Sequence, residues 1–181
     1  VDTTVWAYND SVPGPTIEAT VGDTVRVHFT NNLPVPTTIH WHGVELPASQ
    51  DGSHIAQAWV QPGGDTFTYE FRLLSEGLFW YHPHVTTYDQ VERGLYGCLL
   101  VHERPIEAQE FGLAGVEEHI VVFDDVLMNG NQIEVPFPFG GAVDPMPHAL
   151  SQVNGRPANL LPLNARHAAP VPPPVPTAHP P

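Results

Sequence analysis

The sequence predicts an all-β protein, built as an antiparallel sandwich or barrel. Three observations point there. Residues 1–104 are made of short runs rich in Val, Thr, Ile and aromatic residues, the composition of strands. Turn residues break these runs at short intervals. Within several runs, apolar and polar side chains alternate with period two, the pattern of a half-buried strand.

Taken in order, Thr24-Val25-Arg26-Val27-His28-Phe29 places Val25, Val27 and Phe29 on one face and leaves His28 facing solvent. Thr66-Phe67-Thr68-Tyr69-Glu70-Phe71 alternates in the same way through its aromatics. Leu78-Phe79-Trp80-Tyr81 and Cys98-Leu99-Leu100-Val101 are continuously apolar, as strands at a sandwich core can be. Turns fall at Pro13-Gly14-Pro15, Gly22-Asp23, Asn31-Asn32-Leu33-Pro34, Asp51-Gly52 and Pro62-Gly63-Gly64. One helical turn is expected, from Tyr88 to Arg93, ended by Gly94. After Glu103 the texture changes. A polar, acidic connector begins at Arg104-Pro105 and runs to about Glu118. A strand is expected at His119-Ile120-Val121-Val122-Phe123, and a hairpin turn at Asn129-Gly130-Asn131. Residues 136–147 are rich in Pro and Gly, and residues 170–181 are mostly proline, which cannot build a packed core. No internal repeat is visible.

The 181 residues leave room for one domain and part of a second. Six Lys+Arg stand against twenty Asp+Glu, a net charge of −14. Nucleic acid is not an expected partner, because phosphate contacts need a basic face. No apolar run approaches the roughly 20 residues of a membrane helix, so no membrane partner is expected. The chain does not open on a charged segment followed by an apolar one, as a signal peptide would. Cys98 is the only cysteine, so no intramolecular disulfide can form.

Two segments carry chemistry: His40-Trp41-His42-Gly43 and Trp80-Tyr81-His82-Pro83-His84. Each holds a His-x-His pair. On a strand, residues i and i+2 share a face, so each pair presents two imidazoles side by side. Imidazole without thiolate suits copper, zinc, iron or nickel. Four imidazoles from two strands can hold more than one ion, whereas four buried unpaired imidazoles would strand polar groups. Trp41 and Trp80 are expected to point away from the imidazoles into the sandwich. His54, His102, His119, His148, His167 and His179 have no partner at ligand spacing and are expected to be structural or on the surface.

Six motifs in this order resemble the first cupredoxin domain of a multicopper oxidase, a family that includes laccases, bilirubin oxidases and bacterial copper-tolerance oxidases. They are Val12-Pro13-Gly14-Pro15-Thr16-Ile17, Gly22-Asp23-Thr24-Val25, Asn31-Asn32-Leu33, the two histidine segments, and Gly94-Leu95-Tyr96-Gly97. The resemblance spans about residues 5 to 104. It weakens through residue 157, where Val153-Asn154-Gly155-Arg156-Pro157 still resembles an early second-domain segment. It implies a Greek-key β-sandwich of the cupredoxin type over residues 1–104. A linker and the incomplete start of a second cupredoxin domain would follow over 105–165, then a proline-rich tail over 166–181.

The resemblance also implies copper and a division of labour. His40 would bind a type 2 copper, His42 and His82 one type 3 copper, and His84 the other type 3 copper. The implied activity couples substrate oxidation to reduction of dioxygen to water. In the family, two cupredoxin domains each supply four histidines. This chain would carry one half, and a second cupredoxin domain or another copy of the chain the other. Asp51 stands where family members carry a second-shell acid that assists proton delivery during oxygen reduction; Asp-Gly is equally a common turn. The resemblance further implies a periplasmic or secreted location.

The sequence departs from a complete oxidase in one respect. A type 1 copper needs two His, one Cys and a weak axial group. The family places that Cys within His-Cys-His, where this chain has Pro83. No type 1 copper is expected here. Cys98 and His102 are four residues apart, about 13 Å on a strand, too far to share an ion, so Cys98 is expected to be a buried structural thiol. The chain looks cut at both ends relative to the family. These departures keep open a non-catalytic alternative, a single-domain copper-binding module for storage or buffering. Copper nitrite reductase ranks below both, because it carries a type 1 Cys in its first domain and lacks His-Trp-His-Gly.

Overall fold

A computed structural model describes residues 3–129, 131–133, 135, 149–153 and 156–157. The first six strands are β1 (Gly14–Thr20), β2 (Thr24–Asn31), β3 (His40–His42), β4 (Asp65–Arg72), β5 (Gly77–His82) and β6 (Gly97–His102). They form two sheets, one in the order β1-β6-β5-β3 and one pairing β2 with β4. The sheets meet in a shared core of Val25, Ile39, Trp41, Tyr69, Phe71, Leu73, Tyr81, Leu99 and Val101.

Period-two patterning accounts for most of these strands. Val25 is buried, Val27 and Phe29 are half-buried, and Arg26 and His28 between them are exposed. In β4, Tyr69 and Phe71 turn inward while Thr68, Glu70 and Arg72 face out. β6 lies between β1 and β5 and is buried over most of its length. One pairing departs from the antiparallel expectation: β1 runs parallel to β6, with Ile17 against Leu99 and Thr20 against His102. Parallel neighbours need a long connection, and here the other four strands supply it. The expected turn at Pro13-Gly14-Pro15 is instead the entry to β1.

Trp41 anchors the three-residue β3. It is 1% exposed, and its ring centroid lies 5.7 Å from Tyr69, 4.9 Å from Phe71 and 5.7 Å from Tyr81. Burying a side chain of this size contributes about 3 kcal/mol, enough to hold a short strand in register. The approach to β3 is fixed by α1 (Thr87–Glu92). Gln90 of α1 is fully buried. Its amide donates to the Pro36 carbonyl at 3.0 Å and accepts from the Thr37 hydroxyl at 2.6 Å.

Beyond β6 the expectations need correction. Residues 105–110, read as connector, form helix α2 (Pro105–Glu110). The signals were present: Pro105 at the helix start, and Glu107 accepting the Arg104 backbone N–H at 3.1 Å. The strand expected over 119–123 begins only at Phe123, as β7 (Phe123–Asn129). Its ladder with β9 (Ala149–Val153) begins where Phe123 faces Val153, the last residue of β9. β8 (Gln132–Ile133) pairs antiparallel with β7, with Asn129 opposite Gln132, and Gly130 of the expected hairpin turn lies outside the described residues. β10 (Arg156–Pro157) pairs with β9. The Pro- and Gly-rich stretch over 136–147, the proline-rich tail, and His148, His167 and His179 lie outside the described residues. Among the described residues, no helix is long and apolar enough to cross a membrane.

Candidate metal centre

Pairing of β3 with β5 sets His40 opposite His82, Trp41 opposite Tyr81, and His42 opposite Trp80. Trp41 and Tyr81 point into the core. Alternation therefore sends His40, His42, Trp80 and His82 to the other face of the sheet. The expectation that Trp80 packs in the sandwich is corrected here. Trp80 precedes His82 by two residues and shares its face. Its ring stacks on His42, with centroids 5.0 Å apart and planes at 25°, and lies 4.0 Å from His82. The i, i+2 rule that paired the histidines would have placed this ring correctly too.

The ligand nitrogens of His40, His42 and His82 lie within 4.8 Å of one another. His84 is not in that group. β5 ends at His82, because Pro83 has no N–H to continue a ladder. His84 sits past the strand end, exposed, with its N–H donating to the Thr38 hydroxyl at 3.3 Å and its ring 5.2 Å from that of His40. The second His-x-His thus straddles a strand end, with one imidazole in the cluster and one at its margin.

Hydrogen bonds fix which nitrogen of each ring is free. Nδ1 of His40 faces only acceptors, the Asp51 carboxylate at 2.9 Å and the Asp51 carbonyl at 3.1 Å. In the neutral ring this nitrogen carries the proton, which leaves Nε2 with a bare lone pair. Nδ1 of His82 donates to the Pro83 carbonyl at 2.9 Å, so its Nε2 is bare as well. That Nε2 lies 3.2 Å from Nδ1 of His42. Two nitrogens at this separation can both stand about 2.0–2.1 Å from one point, the usual imidazole–metal bond length. Burial pushes the pKa of His82 down to about 4, against an upward pull from the Pro83 carbonyl, and the imidazoles of His40, His42 and His84 each lower it a little further. His82 is therefore neutral at pH 7, the protonation state a metal ligand needs. The donor set fits a transition metal that prefers imidazole: ring nitrogens that face one another and outer hydrogen bonds that orient them.

Asp51 joins the site through His40. It follows a short 3-10 turn, Ala48–Gln50, and its carboxylate lies against the imidazole. The remaining sequence candidates stay apart. Cys98 is free and buried, opposite Trp80 on β6, and is not in the histidine group. His102 lies at the far end of the same strand, between Glu118 at 3.2 Å and Glu18 at 3.6 Å, so the two cannot share an ion. His28 is exposed, with Nδ1 3.1 Å from the Thr68 hydroxyl. His54 and His119 are exposed.

A family model described as multicopper oxidase matches residues 1–106. Multicopper oxidase MmcO of Mycobacterium tuberculosis is 42% identical over 118 residues, 65% of this chain and 22% of that protein. Laccase-24 of Oryza sativa subsp. japonica is 32% identical over 166 residues, 89% of this chain and 28% of that protein. Among solved structures, a multicopper oxidase from Pseudomonas thermotolerans matches with a TM-score of 0.66 and 33% identity, covering 86% of this chain and 37% of that one. These structural neighbours share a cupredoxin-type sandwich. The chain spans less than a third of the length of these two curated relatives.

Proposed function

This chain belongs to the multicopper oxidase family, and on that premise we propose that it is the oxygen-reducing half of a laccase-like oxidase. Multicopper oxidases use dioxygen as electron acceptor. The observation that carries the proposal is the convergence of three imidazoles on one sheet face, with ligand nitrogens within 4.8 Å of one another.

His40, with Nε2 bare, would hold the type 2 copper. His42 and His82, whose facing nitrogens are 3.2 Å apart, would hold one type 3 copper. His84, at the margin of the group, would reach the second type 3 copper. On that side a second cupredoxin domain, or another copy of the chain, would supply four more histidines. Bound copper would supply the one-electron chemistry that dioxygen reduction needs. The chain's own residues orient and protect the ligands. Asp51 keeps the proton on Nδ1 of His40 and stands ready to pass a proton toward the site. The Pro83 carbonyl does the same orienting work for His82. Trp80 packs its ring against those of His42 and His82. No cysteine belongs to the group, so electrons from the substrate would enter through a type 1 site on the partner.

That same lack of a cysteine ligand favours a second reading, a copper-binding module that stores or buffers the ion without turnover. A chimera separates the two. Residues 1–106 replace the matching segment of a full-length multicopper oxidase, and oxygen consumption is followed with an electron donor. We expect the chimera to consume oxygen and the isolated chain not to. A folded, copper-loaded chimera with no turnover would contradict the oxidase reading and favour the module. Turnover by the isolated chain would contradict the half-site reading.

A further inference from the structure

A buried hydrogen-bond chain ties together the two backbone segments that carry His40 and Asp51. Tyr69 of β4 is fully buried. Its hydroxyl accepts the N–H of Ile39, the residue before His40, at 2.7 Å. The same hydroxyl accepts the side-chain amide N–H of Gln57 at 2.9 Å. The other end of Gln57, its Oε1, accepts the N–H of Gly52, the residue after Asp51, at 3.0 Å. Gln57 is 6% exposed and Ile39 2%. An apolar residue in place of Gln57 would leave the buried Gly52 N–H without an acceptor. One end of the glutamine amide holds Gly52 directly, and the other reaches Ile39 through the Tyr69 hydroxyl.

The approach is also close. Gly52 has φ +71°, and a Cβ placed there would stand 2.3 Å from the Ile39 carbonyl. Only glycine lets the Asp51 loop press against the lead-in to β3. A separate tie holds the loop from the other side, where the Glu70 N–H donates to Oε1 of Gln50 at 2.7 Å. The loop therefore keeps an anchor when the buried chain is cut.

We infer that Gln57 and Tyr69 are positioning residues for the metal site: they set the Asp51–His40 geometry and, through it, which nitrogen of His40 is free to ligate. This rests on the reading of His40 as a copper ligand. Neither residue touches the imidazole cluster. Each acts through the backbone next to the pair, as supports beyond the ligands do in precise sites.

The test uses the full chain with Tyr69→Phe and Gln57→Met, each cutting the buried chain at a different point. Tyr81→Phe is the control. It removes another core hydroxyl, which donates to the Pro15 carbonyl at 2.8 Å, and leaves the pair untouched. In the metal-free protein near pH 8, ring nitrogen shifts in NMR report the tautomer of His40. Wild type and Tyr81→Phe should show a single Nδ1–H form, and the two test variants a mixture. Cupric ion affinity, measured by chelator competition, should fall about tenfold in the test variants, the lower end of losses from outer-shell changes. If both test variants keep the single tautomer and wild-type affinity, or if Tyr81→Phe changes the tautomer as much as they do, the inference is overturned. Wild-type protein that binds no copper would defeat the ligand reading instead, and the tautomer would still decide the positioning role. If Tyr69→Phe fails to fold, Gln57→Met decides alone.

Discussion

His82 shows how the fold can keep a candidate ligand neutral. Its pKa is held down to about 4, first by burial and then by three neighbouring imidazoles, while an unfolded chain would protonate it near the usual 6.5. Between these values the unfolded state binds more protons than the folded one, so stability rises with pH across that window. The melting temperature of the metal-free protein should climb between about pH 4 and 6.5, and His82→Gln should flatten the climb. A wild-type profile that falls or stays level over that range would show that His82 is not held neutral. The grouping of His40, His42 and His82 is legible because period two is a property of the backbone itself, whereas His84 lies past the end of β5, where that rule stops. The free nitrogens are not legible, since they depend on the Asp51 carboxylate and the Pro83 carbonyl arriving from outside the histidine pairs. Trp80 was misplaced although the rule was in hand. An aromatic run reads as core, yet here only alternate residues face inward.

At the scale of elements, two short strands and one loop define the site. β3 and β5 supply the imidazoles in register, and the loop through Asp51 closes on them. Gly52 is the tightest point of that closure. A methyl group there would meet the Ile39 carbonyl at 2.3 Å in a backbone conformation that L residues avoid. Gly52→Ala should therefore destabilise the protein by more than about 1 kcal/mol, read by urea unfolding. A loss well below that would mean the loop can back away from β3 at little cost. Strands with a clean alternation, β2 and β4, were legible from sequence alone. The parallel β1–β6 pair was not, because pairing across some 80 intervening residues leaves no local trace. The start of β7 leaves no local trace for a related reason: Phe123 pairs with Val153, the last residue of a strand far along the chain.

Over the whole molecule, the sandwich and the segment after it are joined by side-chain contacts. The Tyr96 hydroxyl donates to Asp124 at 2.6 Å, and His102 meets Glu118 at 3.2 Å. The histidine face stands on the first of these units, and His84 and His42 lie exposed at its edge. The surface carries a net charge of −14, which attracts cations and suits a metal-loaded protein. A half-site of four histidines makes one claim that can be read directly, that the chain binds copper through His40 and His42 together with their β5 partners. The decisive measurement is a copper titration with electron paramagnetic resonance, on wild type and on the His40→Ala, His42→Ala double variant, with circular dichroism to confirm the β-sandwich in both. Saturable binding with imidazole nitrogen couplings is expected in the wild type and should be absent from the folded double variant; a double variant that binds copper as the wild type does, with the same couplings, would contradict the ligand assignment.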